Sequence, residues 1–471
     1  MNPHLPSLRI GFLPFYVDYY EGICPDFPVE KQAICERLAE ILRGYGEVRW
    51  DGRMIRGESD ATAAGAALAE QKPDCTVVFT SIAVFSAFPL AALAAVTGPL
   101  LIWNAQQIET VGPGYTMEEI VRNTGQIGTQ ALANTLVRTG RPFRVLTGYE
   151  ATPRTREELG AFFAAVRTVK AVRGARLLAV GEPFPAMLDI LADADVLRRE
   201  LGIEVVRVGL AEWTRRNEAL PADRVAGRVA DLHRRHPVAG IGGDEIARSA
   251  RLAEALAELV REHQVAGGTL NCHGPVCLRN PAIGVTACYS LGDQNAAGRP
   301  FTCTGDIPTA IAMLMLKHLT GVSMYTEVQV MDERRNAVVI ANSGEGEPGL
   351  CRPGVPCSLR GNTNFKGTHG RGLSFAHPLA PGPATLVSFT PTPAGPKPFR
   401  LVVAEGEILE ETLPDAGALA GFFRFGGASL PDAYTRWLEA GAVHHAATAP
   451  GHWARALRDV AGWLGLECVR V

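Results

Sequence analysis

A chain of 471 residues suggests two to four domains, and its 47% hydrophobic and 20% charged residues are those of an ordinary globular protein. The net charge of -3, with no run of Lys or Arg, excludes a broad basic surface for nucleic acid and offers no electrostatic attraction to a membrane. Ten scattered cysteines in a chain whose first residues lack the charged start and apolar stretch of a signal peptide point to reduced thiols and a cytoplasmic location.

The first third alternates strand and helix patterns. Leu8 to Leu13 is a strand, and Val29 to Arg43 a helix with Ile34, Leu38 and Leu42 on one face. Cys75 to Phe79 and Leu100 to Trp103 are short apolar runs bounded by turn residues, as buried parallel strands are. The apolar stretch from Ile82 to Leu101 is broken by Pro89, Gly98 and Pro99 and reads as a buried helix and strand, not a membrane span. A helix over Thr116 to Arg138 and a strand over Pro142 to Thr147 complete a doubly wound domain over residues 1–172.

A second series repeats this architecture over residues 173–321. Arg176 to Gly181, Ile203 to Val208 and Gly268 to Cys272 are its strands. Met187 to Leu201, Ala222 to Arg235 and Glu245 to His263 are its helices. After Gly321 the chain is rich in Gly, Pro and Thr. Ala337 to Ile340, Ala384 to Phe389 and Phe399 to Val403 alternate as antiparallel strands do, so residues 322–471 form a β-rich barrel or sandwich. An amphipathic helix closes the chain, with Trp453, Leu457, Val460 and Leu464 on its buried face and Gly465 stopping it. The expected fold is therefore α/β, with two Rossmann-like doubly wound domains before a β-rich domain.

Polar groups gather at three boundaries. Phe301 to Asp306 runs from a short strand through a Gly turn into a helix over Ile307 to Leu319, where Asp306 suits an N-cap and Pro308 the first turn. Glu327 interrupts an alternating strand; such a carboxylate usually faces solvent, and if it faces inward it needs a metal or cationic partner. His444 and His445 stand among small residues that allow a ligand close approach, and imidazole is a common metal ligand; spacing alone favours ordinary loop histidines. Gly344-Glu345-Gly346-Glu347-Pro348-Gly349 fits GxGxxG, but its acidic residues would repel a pyrophosphate and Cys351-Arg352-Pro353-Gly354 cannot open a helix. Cys272, His273, Cys277 and Cys288 lack the paired spacing of a zinc site and read as buried thiols.

These three places resemble segments of the L-fucose/L-arabinose isomerase family. FTCTGDIPTAIAMLMLKHLTG, Phe301 to Gly321, resembles the family's Cys-Glu-Gly-Asp turn and the apolar helix after it. Glu327 matches the acidic metal ligand of the next strand, and His445, in GAVHHAATAPGHWARALRDVAGWLGL, the metal-binding His before the closing helix. Pro381 to Leu386 resembles the family's Pro-Gly turn, and the match covers roughly the last 200 residues by order and spacing.

The resemblance implies aldose–ketose interconversion through an enediol. It also implies Mn2+ or another divalent cation, a sugar or polyol ligand, and a homo-oligomeric trimer or hexamer. Glu327 and His445 would be metal ligands, Glu327 a catalytic carboxylate with Asp306 the nearest replacement for the second, and Thr304, His273 and Asn342 substrate contacts. The family's first catalytic Glu is replaced by Thr304, whose hydroxyl is neither a general base near neutral pH nor a good ligand. The His-Cys-Gly of many relatives reads Asn342-Ser343-Gly344. Three readings follow: an isomerase with Asp306 as second base, a metal enzyme of another reaction on a sugar-like substrate, or a non-catalytic sugar-binding relative. The resemblance favours the first.

Overall fold

The computed structural model describes residues 7–471 except 23, 151, 273–275, 363–371 and 415–418. His273 therefore lies outside the described residues. The chain divides into two compact units, Met1–Lys170 and Ala171–Val471.

The first unit holds a five-stranded parallel sheet in the order Gly46–Arg49, Leu8–Phe15, Cys75–Thr80, Leu100–Gln106, Arg144–Tyr149. This 2-1-3-4-5 order is that of flavodoxin-like doubly wound sheets. The segment expected as one helix over 116–138 is two, Met117–Arg122 and Gly125–Arg138. A reciprocal Thr116–Glu119 capping box starts the first, and Asn123 ends it after two turns.

The second unit begins with a four-stranded parallel sheet, ordered Phe301–Thr302, Gly267–Leu270, Arg176–Val180, Glu204–Val208. The expected helix over 187–201 starts later, at Ala194, because the Asp193 side chain accepts from the Asp195 and Val196 amides and caps it there. The residues before it form a 3-10 turn, Leu188–Ile190.

The β-rich region is a closed barrel. Six antiparallel strands follow one another around it: Gly382–Pro391, His445–Pro450, Met324–Asp332, Ala337–Asn342, Leu419–Phe425 and Phe399–Ile408, which pairs back onto Gly382–Pro391. Glu467–Arg470 adds in parallel beside Phe399–Ile408. A small sheet of Leu373–Ala376, Ser358–Gly361 and Val238–Ala239 lies in the same unit. One hydrophobic core runs from the parallel sheet (Leu178, Leu270) to the barrel (Val338, Val402, Phe423), so residues 173–321 and 322–471 share it.

The helix Ile307–Thr320 links the two parts. It is apolar all round, buried from Ile307 to Leu316, and ends on Gly321 at φ 85°, the left-handed geometry that favours glycine. Among the described residues no helix is long and apolar enough to cross a membrane. All ten cysteines are free thiols.

Candidate functional site

Strand register brings the candidate residues together. Glu327 stands directly opposite His445 on the neighbouring antiparallel strand, and facing residues of such a pair share one side of the sheet. Asp306, at the N-terminus of the helix Ile307–Thr320, meets them there. Its Oδ1 accepts the Thr309 amide at 2.8 Å, and its Oδ2 accepts the proton of His445 Nδ1 at 2.7 Å. Asp306 is thus an N-cap and a histidine partner at once. Both its oxygens are engaged and it is fully buried, so it reaches the site through His445 and not by touching a ligand itself.

His445 Nε2 points to Glu327 Oε1 at 3.4 Å, a charge contact too long for a good hydrogen bond. Burial pulls the imidazole pKa down, but Asp306 and then Glu327 outweigh it and hold it at about 9. Burial pushes the half-buried Glu327 carboxyl up, and His445 outweighs that and holds it below the usual range. With no cation bound, the imidazole is therefore protonated at neutral pH and clamped between two carboxylates; an ion at Nε2 would have to displace that proton.

Two further groups were not foreseen from sequence. Tyr325, two residues before Glu327, places its ring 4.5 Å from the His445 ring. Glu345 is 1% exposed, and its carboxyl is pushed up to about 7, first by burial and then by the Glu327 charge. The route to Glu345 is the hairpin register. Glu327 faces Ala341, so the chain leaving that strand at Asn342 turns back beside Tyr325. Asn342 fastens the turn: its Nδ2 donates to the Tyr325 and Glu345 carbonyls at 2.7 and 3.3 Å, and its Oδ1 accepts the Gly344 amide at 2.7 Å. Its amide is fully committed to main chain, so Asn342 shapes the loop that carries Glu345 in place of contacting a substrate. Gly344, at φ 128°, lets the loop turn; a Cβ there would lie 2.5 Å from Ser374 Cβ.

Thr304 is 5% exposed and its Oγ1 donates to the Cys303 carbonyl at 2.8 Å. It sits at φ 61°, a left-handed conformation that costs a β-branched residue strain. Behind it, the Cys272 and Cys303 sulfurs are 3.0 Å apart. On the other side, Asp189 in the 3-10 turn accepts both the main-chain N–H and ring Nδ1 of His444, at 3.0 and 2.6 Å. This pins the chain entering the His445 strand, and the two histidine rings lie 3.7 Å apart between centroids.

The cluster contains three buried polar atoms without a hydrogen-bond partner among the described residues: His445 Nε2, Glu345 Oε2 and the Tyr325 hydroxyl. Such atoms are rare in native interiors and ask for a ligand, an ion or water. Two of the groups suit a divalent ion. His445 has one nitrogen held by a carboxylate and the other unpartnered, the usual arrangement around a metal-ligating histidine, and Glu327 Oε1 adjoins that second nitrogen. Among the described residues no set of three or more His, Cys, Asp or Glu side chains is arranged around one ion position.

No family model matches the chain. It is 24% identical to a sulfoquinovose isomerase of Alkalicoccus urumqiensis over 340 residues, 72% of this chain and 73% of that protein. Sulfoquinovose isomerases of Priestia aryabhattai and Priestia megaterium are 22% identical over 321 residues, 68% of either length. These relatives are named as sugar isomerases, and at that level they agree with the resemblance read from Phe301 to Gly321, Glu327 and His445.

The double role of Asp306 carries a stability prediction. Asp306→Ala leaves the Thr309 amide without its acceptor and the buried imidazole with the Glu327 contact alone, and should cost roughly 3–5 kcal/mol, the range for breaking a buried charge pair. Asp306→Asn keeps an N-cap acceptor and should lose less. Urea unfolding of both variants checks the order; equal stability of the two would place the loss elsewhere.

Proposed function

We propose that the chain is a divalent-metal-dependent sugar isomerase, interconverting an aldose and a ketose through an enediol at the Glu327–His445 cluster. The convergence of three unpartnered polar atoms, on His445, Glu345 and Tyr325, beside the Glu327 carboxyl carries this reading, and the similarity to sugar isomerases supports it. The reaction moves one proton between C1 and C2 and others between the two oxygens, so it needs two groups that accept and return protons. Glu327, half-exposed at the edge of the cluster, is the group placed to face the sugar. Glu345 supplies the second carboxyl, the role expected of Asp306 as the carboxylate nearest Thr304; Asp306 instead fixes the ring orientation of His445.

His445 Nε2 and Glu327 would hold the cation, Mn2+ or a similar divalent ion. When bound, the ion polarises the sugar carbonyl and offsets the negative charge that grows on the enediolate. Sulfoquinovose, the sugar in the relatives' name, is the first substrate to try, followed by neutral pentoses and hexoses. The test is ketose formation by protein stripped with a chelator and then reloaded with Mn2+. Turnover that appears only on reloading supports the proposal; equal turnover before and after removes the metal from it, and no product from any sugar removes the isomerase reading.

A further inference from the structure

The register row that carries the site continues beyond it. His445 faces Glu327, Glu327 faces Ala341, and Ala341 faces Ala420 on successive barrel strands. Facing residues share one side of the sheet, and strands lie about 4.8 Å apart, so Ala420 is roughly 10 Å from Glu327 on the same surface. Ala420 lines a cavity of about 380 Å³ together with Ser358, Arg360, His377 and Leu413, a size within the range of small-molecule pockets.

Arg360 is the unusual member. It is half-buried on the strand Ser358–Gly361, where Leu359 turns into the core and is fully buried. Its guanidinium forms no ion pair or hydrogen bond with any described residue, although most arginines of this unit are engaged, as Arg224, Arg228, Arg235 and Arg400 are. A half-buried, unpaired guanidinium beside a cavity is a ready partner for a group with two or three anionic oxygens. His377, 7% exposed, lines the same cavity. Its Nδ1 faces the Pro378 carbonyl at 3.3 Å, which can only accept, so Nε2 is left as an acceptor with no partner.

We infer that Arg360 binds the anionic end of the substrate, so that the sugar is an open chain with its carbonyl end at Glu327 and a charged group on the far carbon. This inference rests on the isomerase reading for the orientation of the chain. Sulfonate, phosphate and carboxylate share the required chemistry, and sulfoquinovose, glucose 6-phosphate and glucuronate present one each.

The test measures both turnover and calorimetric binding of these three sugars and of neutral glucose, with wild type, Arg360→Gln and Arg360→Lys. Arg360→Gln should weaken the preferred anionic sugar roughly 10- to 100-fold, the equivalent of one charge-assisted pair. Arg360→Lys should fall between, since it keeps the charge and loses the fork. Anion-dependent binding that requires Arg360, with no product formed, upholds the pocket and overturns the isomerase reading. Turnover in which the anionic-to-neutral preference is the same in wild type and Arg360→Gln overturns the pocket and leaves the isomerase reading standing.

Discussion

Glu327→Gln should lower ketose formation by at least about 10³-fold and strip the protein of its bound divalent ion. A positioned acid/base group contributes roughly 10²–10⁴-fold by itself, and the same carboxylate is also the proposed ligand beside His445 Nε2. The substitution keeps the shape and removes the charge. The barrel should survive it, because the Glu327 side chain is one-third exposed and its strand is held on both sides by main-chain pairing. Activity on the best sugar, metal content by mass spectrometry and a thermal melt together check the claim. Wild-type metal content in a folded variant would detach the ion from Glu327. Wild-type turnover would detach the chemistry.

His445→Gln differs in kind. His445 is 1% exposed and bonded to a fully buried Asp306, so its loss should cost both activity and several kcal/mol of stability. The contrast between a stable dead variant and an unstable dead one separates the residue that faces the substrate from the one that frames it.

Much of this was legible before any coordinates. Apolar runs bounded by turns mark the parallel strands, and the barrel strands alternate because one face packs and the other does not. Asp306, Glu327 and His445 each stand at an element boundary, but pattern alone favours an N-cap, a solvent-facing carboxylate and a loop histidine; the resemblance is what singles out Glu327 and His445. Their meeting was not legible, since it depends on strand register between residues more than a hundred positions apart. Asp189 carried no signal: an Asp in a polar stretch before a helix is common, and only the tertiary fold brings it to His444. Glu345 did carry one. Two acidic residues in a Gly-rich turn leaving a strand that pairs with the Glu327 strand are poorly placed for phosphate; Glu347 meets the Lys317 ammonium, and Glu345 keeps an unpartnered oxygen at the cluster.

Glu345→Gln should make the chelator-treated protein more stable above neutral pH, by roughly 3 kcal/mol at pH 8. Glu345 is pushed from 4.5 up to about 7, so between those values the folded protein holds a proton that the unfolded chain has released. Stability then falls as pH rises through that window, and the whole penalty is present above it. At about 1.4 kcal/mol per pH unit the window amounts to roughly 3 kcal/mol. Glutamine stays neutral and nearly fills the same space, so the advantage of the variant should be near zero at pH 4.5 and grow to its plateau by pH 8. His445 titrates the other way in charge but not in sign of effect: held at about 9, it contributes stability that is complete below 6.5 and lost through about 9. Both proteins carry that slope, so most of it drops out of their difference; what remains is the attraction between His445 and the Glu345 charge, which the glutamine removes. Adding Mn2+ should narrow the gap, because a cation beside Glu345 offsets the buried charge that the glutamine removes. Urea unfolding at pH 5, 6, 7 and 8, with and without the ion, gives the curve. A difference that stays flat across the series would mean the Glu345 carboxyl is hydrated, and with it would go the second carboxyl of the proposed reaction.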